Sequence, residues 1–172
     1  MHQSSNTTRV FLFTDIQSST KLWQANPDLM GTTLKRHDTI LDGAIRGHNG
    51  RVFKRVGDAY CAVFKTATDA VDAAIDAQLR LNKEPWDPRT PIKVRMAIHA
   101  GQAETRDGDY FGPTLNRTAR LLSAGHGGQT LVSLVVTELI LDRLGESLQL
   151  MRLGNRRLKD LTRPETVFQV NH

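Results

Sequence analysis

The succession of residue patterns predicts an α+β fold, with a ferredoxin-like βααββαβ core, an antiparallel-rich sheet with helices on one face, and extra carboxyl-terminal strands. Three observations carry this. Apolar, β-prone runs at 9–13, 51–64, 92–99 and 129–133 are interleaved with helical spacing at 28–47, 66–81 and 114–122. Turn residues separate these runs, and further β-prone stretches close the chain.

Taken in order, Arg9 to Phe13 reads as a buried strand that delivers an acid, Asp15, at its carboxyl end. Ser18, Ser19 and Thr20 are candidate caps ahead of Leu22 and Trp23. A longer helix is expected from about Asp28 to Gly47, with Leu34, Ile40, Leu41, Ala44 and Ile45 facing inward. Gly47 and Gly50 bracket its stop. Arg51 to Phe64 reads as two short strands around Val56, Gly57 and Asp58, a hairpin with an acid at its turn. From Thr66 to Leu81, alanines with Val71, Ile75 and Leu79 mark an amphipathic helix, and Glu84 to Pro91, with three prolines, is a loop. A strand over Ile92 to His99, a turn region at Asp107, Gly108 and Asp109, and a helix over Thr114 to Leu122 follow. Gly125 to Gly128 is a breaker before a strand at Gln129 to Ser133. The last helix is expected over Val135 to Leu144, and final strands near Leu148 to Arg152, Arg156 to Leu158 and Thr166 to Val170.

A chain of 172 residues with 39% hydrophobic content fits one domain with its own core. Residues 1–8 are polar, show no signal-peptide pattern and are expected to be disordered, which leaves 9–172 as the domain. Nowhere do ~18 consecutive apolar residues occur, so no membrane crossing is expected. Cys61 is the only cysteine, which excludes an intramolecular disulfide and suits a cytoplasmic, reducing compartment. A formal net charge of +5 favours an anionic partner. The basic residues are spread through the chain, which argues against nucleic acid and leaves a polyphosphate substrate open.

Asp15 after a strand and Asp58 at a hairpin turn are each common structural features, a cap and a turn. Together, neighbouring strands could set both carboxylates on one sheet edge, where they suit two Mg²⁺ or Mn²⁺ ions. The helix beginning near Gln17, with Ser18, Ser19 and Thr20, offers free N–H groups for a triphosphate beside Asp15. The chain has no P-loop lysine motif and no dinucleotide glycine fingerprint, so phosphate is handled in another way. Asn116 and Arg120, four residues apart on a predicted helix, share a face and could serve one ribose and one α-phosphate. The six histidines show no zinc-ligand spacing, and Cys61 reads as a buried, inert thiol.

The segments FTDIQSST (13–20), FKRVGDAYCAVF (53–64) and DYFGPTLNRTAR (109–120), in that order, resemble the signature set of class III adenylyl and guanylyl cyclase domains. VRMAIHAG (94–101) is similar to the strand before that family's substrate loop, and the resemblance runs from about Val10 to Val170. It implies that Asp15 and Asp58 bind metal, that Asn116 orients the ribose, that Arg120 stabilises the transition state, and that Lys159, within RLKDL, reaches the triphosphate. It also sets Lys54 and Asp109 at the purine-reading positions. A lysine donor and an aspartate acceptor complement the N1 acceptor and 6-amino donor of adenine, whereas guanine inverts that pattern. The resemblance thus implies an adenylate cyclase that makes cyclic AMP from ATP by in-line attack of the ribose 3′-hydroxyl, with two divalent ions and sites shared across a head-to-tail homodimer. The alternatives are a cyclase of GTP or a pyrimidine nucleotide, and a nucleotide-binding signalling domain without catalysis. The usual Glu-Gly after the isoleucine is Gln17 and Ser18 here, and the family's further triphosphate arginine has no clear match, Arg106 being a guess.

Overall fold

The computed structural model describes residues 5–145 and 147–172. Strand β1 (Ser5–Ile16) is followed by helices α1 (Ser19–Ala25) and α2 (Pro27–Gly47), the hairpin β2 (Arg51–Val56) and β3 (Ala59–Phe64), and helix α3 (Ala67–Lys83). Then come β4 (Val94–Arg106), the short β5 (Asp109–Phe111), α4 (Pro113–Ser123), β6 (Thr130–Ser133), α5 (Leu134–Leu139), β7 (Gln149–Arg156) and β8 (Glu165–Asn171). The strands form one sheet in the order β2-β3-β1-β4-β6-β8-β7, with β5 paired to β4. Its first four positions are the expected ferredoxin-like arrangement. All neighbours there are antiparallel, and β4 and β6 form a parallel pair.

β1 is longer than its apolar segment. It begins at Ser5 and pairs with β4 from Ser5↔Thr105 to Ile16↔Val94, so residues 5–8, expected to be disordered, are in the sheet; residues 1–4 lie outside the described residues. The polar arm was invisible to patterning because the partner segment, Gln102 to Arg106, is equally polar and both are held by backbone bonds. β4 likewise starts at Val94 and continues past His99. No separate strand covers Arg156 to Leu158: Arg156 ends β7, and Leu158 drops into the core from a coil. The last helix stops at Leu139 and yields to a 3₁₀ turn at Leu141–Arg143.

Side-chain alternation along β1 divides the interior in two. Val10 and Leu12, with Tyr60, Ala62, Phe64, Met96 and Ile98, face α2 and α3. Phe11 and Phe13, with Val63, Ala97 and Leu131, face α4 through Leu121 and Leu122. Helices therefore cover both faces, contrary to the expectation of one. α3 lies on the sheet through Ala67, Ala70, Ala73, Ala74 and Ala77, all buried, while Leu79 is exposed. The small side chains form the contact stripe, and Leu79, expected in it, lies outside. Thr66 caps this helix by accepting the Asp69 N–H at 3.1 Å.

Both sheet edges are irregular and basic. β2 shifts register between Val52 and Lys54 and carries Arg51, Lys54 and Arg55; β7 shifts between Arg152 and Gly154 and carries Arg152 and Arg156. No helix among the described residues is long and apolar enough to cross a membrane.

Gly101 sets how closely α4 approaches β4. A Cβ there would lie 2.6 Å from Thr114 Oγ1, which itself donates to the Gln102 carbonyl at 2.6 Å. Gly101→Ala is expected to destabilise the fold by about 1–3 kcal/mol through overpacking, read as a lower urea midpoint at unchanged slope.

Candidate active site

Asp15 is the last residue of the Phe11, Phe13, Asp15 row on β1, which faces the α4 side of the sheet. Its two carboxylate oxygens accept a forked pair of bonds from Arg95 Nε and an Arg95 terminal nitrogen, at 2.7 and 2.5 Å. Arg95 stands directly opposite on β4. These bonds push its guanidinium above its ordinary range; the charges of Asp15 and Asp58 add to that, and burial opposes it.

Asp58 reaches the same strand end from the β2–β3 turn. Gly57 takes φ +60° at the first position of this two-residue turn, the backbone that a tight hairpin needs there. Asp58 Oδ2 then accepts the Ile16 N–H at 2.6 Å, and Oδ1 accepts from the Ser19 hydroxyl at 3.2 Å. Two carboxylates thus bracket Ile16. Among the described residues no group of three or more His, Cys, Asp or Glu side chains is placed to hold a metal. Two hard carboxylates fit Mg²⁺ or Mn²⁺ where substrate phosphates and water complete the coordination, the usual way Mg²⁺ is bound beside a nucleotide.

Ser18, Ser19 and Thr20 do not cap α1. Ser18 is left-handed at φ 57° and makes no capping bond, Ser19 is engaged by Asp58, and Thr20 is exposed.

A second cluster lies on the α4 side of the sheet. α4 packs over β4 and β1 and leaves β2 and β3 uncovered there. An open cavity of about 300 Å³ remains, lined by Phe13, Phe53, Lys54, Cys61, Tyr110 and Asn116 among others. Tyr110 packs edge-on against Phe53 and Phe11, with ring centroids 5.0 and 5.3 Å apart. That anchor holds its neighbour, Asp109, within reach of the cavity-lining Lys54, and Asp109 Oδ2 meets Lys54 Nζ at 3.0 Å. Arg51 steadies the preceding turn through the Gly108 carbonyl. Asn116 therefore shares a cavity with Lys54, the residue that Asp109 pairs with. Arg120, one helical turn further on, pairs with Asp160 at 2.9 Å, and Lys159 is exposed beside that aspartate.

Eight of the ten expected residues thus fall into three groups: the two acids with Ser19, Asn116 with the Lys54–Asp109 pair, and Arg120 with the Lys159 turn, while Ser18 and Thr20 stand exposed apart from them. Among the described residues no hydrogen bond or ion pair joins the acids to Lys54, Asn116, Arg120 or Lys159. Arg106 pairs with Glu104 and stacks on Phe111. The arginine beside the acids is Arg95, which sequence reasoning missed; its position opposite Asp15 in VRMAIHAG was the available signal. Cys61, expected to be buried, is half-buried in the cavity wall, and burial pushes its thiol up to about 11. His99 is buried behind α4 against the Ser133 hydroxyl at 2.7 Å, and burial, with the Arg117 charge, lowers it to about 4.

The described family model for the adenylate and guanylate cyclase catalytic domain matches residues 2–171. An uncharacterised protein of Mycobacterium tuberculosis is 38% identical over 167 residues, which cover 96% of this chain and 56% of that protein. An adenylate cyclase of Schizosaccharomyces pombe is 30% identical, over 75% of this chain and 9% of that enzyme. This chain therefore spans little more than half of the first relative and a small part of the second. Among solved structures, an adenylate/guanylate cyclase/hydrolase from Silicibacter pomeroyi superposes with a TM-score of 0.85 at 28% identity, covering 97% of this chain and 98% of that one. A structure of adenylate cyclases from Trypanosoma brucei in their monomeric state gives 0.84 at 26%, over 95% and 88%.

His99 makes stability depend on pH. Its folded value lies below the unfolded one of about 6.5, so the unfolded chain binds the extra proton; the contribution is complete above pH 6.5 and is lost as pH falls toward 4. Urea unfolding at pH 7.5 and 4.5 is expected to show a loss on the order of 2–3 kcal/mol in wild type, and a clearly smaller one in His99→Gln.

Proposed function

The chain belongs to the adenylate and guanylate cyclase catalytic-domain family, and on that premise we propose that it converts ATP into 3′,5′-cyclic AMP and pyrophosphate, at sites shared between two copies. The observation that carries the choice of ATP is the Lys54–Asp109 pair, 3.0 Å apart at an open aromatic cavity. A donor and an acceptor side by side match adenine N1 and its 6-amino group. Guanine would set N1–H against the ammonium and O6 against the carboxylate, and unpaired groups of this kind are rejected steeply.

In this reading the purine enters between Phe53, Phe111 and Leu115, and Asn116 orients the ribose from α4. The 3′-oxygen forms its bond to the α-phosphorus as the bond to the bridging oxygen breaks, its proton passes to solvent, and pyrophosphate leaves. Arg120 is the catalytic cation that takes up α-phosphate charge, and Lys159 binds the β- and γ-phosphates. Two divalent ions, when bound by Asp15 and Asp58, supply charge neutralisation for the attacking and leaving oxygens. Ser19 helps hold Asp58 in place for that task, with Ser18 and Thr20 at the phosphate side of the turn. A free Cys61 suits a reducing compartment, which supports the reading of a cytoplasmic enzyme.

A head-to-tail homodimer is supported by two features. Among the described residues no element covers the cavity face over β2 and β3, and none of the bonds made by the acids reaches the cavity set. A twofold pair would bring the acids of one copy to Lys54, Asn116 and Arg120 of the other, twice over.

Wild type is expected to form cyclic AMP with Mn²⁺ or Mg²⁺ and to prefer ATP over GTP by about a hundredfold or more. Asp58→Ala and Lys54→Ala should each lose at least about a hundredfold. An equal mixture of the two should regain about a quarter of wild-type activity, since half the dimers are mixed and each mixed dimer has one intact site. No cyclic product from any nucleotide would sink the enzymatic reading, and no recovery on mixing would sink the shared site.

A further inference from the structure

Three charges assigned to the site are matched inside the chain: Asp15 by Arg95, Lys54 by Asp109, and Arg120 by Asp160. The first differs from the others in kind. Lys54–Asp109 and Arg120–Asp160 are single-point contacts at 3.0 and 2.9 Å, each with at least one exposed partner, and neither joins residues facing each other on paired strands. Arg95 instead bonds both oxygens of Asp15 in the planar fork that suits a carboxylate. The two residues sit opposite each other on paired central strands, and only 27% of the Arg95 side chain and 23% of the Asp15 side chain are exposed.

This arrangement answers an electrostatic problem posed by the fold. The Ile16 N–H and Ser19 hydroxyl draw Asp58 to the strand end where Asp15 already stands. Two carboxylates gathered in a partly desolvated corner repel each other, and a fixed cation offsets that repulsion. A divalent ion would do the same work, and it needs the Asp15 oxygens that the guanidinium holds.

We propose that Arg95 is the internal countercation of the acid pair, occupying Asp15 in the metal-free chain so that a divalent ion binds only by displacing the guanidinium. Arg95 is then the residue that sets how tightly the site takes metal. It acts through Asp15 and is a positioning residue in the metal-free state. The inference rests on reading Asp15 and Asp58 as the metal ligands, and it is tested without nucleotide or turnover.

Mn²⁺ is titrated into the whole chain, and free Mn²⁺ is followed by electron paramagnetic resonance, for wild type, Arg95→Gln, Arg95→Lys and Asp15→Asn. Arg95→Gln is expected to bind Mn²⁺ about tenfold or more tightly than wild type, because one charge-assisted fork no longer has to be broken. Arg95→Lys, which keeps the charge without the fork, should fall between them, and it serves as the folded control should the glutamine variant unfold. In EDTA the melting temperature of Arg95→Gln should drop by several degrees, and Asp15→Asn combined with Arg95→Gln should recover part of that drop. Asp15→Asn should bind Mn²⁺ far more weakly than wild type. Equal or weaker binding by both Arg95 variants, with binding still lost in Asp15→Asn, overturns the countercation and leaves the metal site standing. Unchanged binding in Asp15→Asn overturns the metal-site reading and the countercation with it.

Discussion

Everything at the candidate site hangs on the pairing of β1. This strand is bonded on both sides, to β3 from Val10↔Phe64 to Thr14↔Tyr60 and to β4 along its whole length. A slip of one residue would turn Val10, Leu12 and Ile16 toward α4 and drive Phe11, Phe13 and Asp15 under α2 and α3. Burying that carboxylate in the larger core would cost far more than any sheet irregularity recovers. The hydrophobic alternation that stabilises the domain is therefore the same device that fixes where the acid emerges. The Ile16 N–H, freed at the end of this ladder, is what Asp58 reaches for, so the second acid inherits its position from the first strand.

The charges around the site form a nearly neutral set within one chain. Single-point pairs with an exposed partner, such as Lys54–Asp109 and Arg120–Asp160, contribute little to stability and open at little cost. They nonetheless hold long side chains near the cavity and near the Lys159 turn, so less side-chain freedom is lost when a ligand takes one partner's place. The aromatic contacts of Tyr110 with Phe53 and Phe11 do the comparable work for the backbone of β5, and they explain how a three-residue strand can present Asp109 reliably. Membership of the cyclase family accounts for this scaffold; in the proposed reading, the choice among nucleotides falls to a few side chains standing on it.

Much of this was legible in the residues. The βααββαβ order, the α2 span, the hairpin at Gly57 and Asp58, and the shared α4 face of Asn116 and Arg120 all follow from apolar periodicity and turn chemistry. What patterning missed was held together by backbone bonds or by surface charge. The arm of β1 at Ser5 to Thr8 and its partner on β4 carry no apolar alternation. Leu79 looked like a core residue, yet the alanine rows of α3 make the closer approach to the sheet. α4 covers the opposite face because Leu121 and Leu122 meet Phe11 and Phe13, a pairing between segments some hundred residues apart in sequence. Arg95 went unnoticed as part of the site because its significance lies in its cross-strand neighbour, which no local motif records.

The two open borders of the sheet have a bearing on the protein's behaviour in a crowded solution. A long sheet with exposed margins is a template onto which further chains can add strands and grow into aggregates. Here β2 and β7 each carry a bulge that interrupts the ladder, and each sets arginine or lysine along the free border. A second molecule approaching in strand-to-strand register meets a broken hydrogen-bond row and, on β2, long side chains already tied to partners within the chain, Lys54 to Asp109 and Arg55 to Asp42. Interrupted ladders and occupied side chains together leave little straight, free border for a further strand to extend.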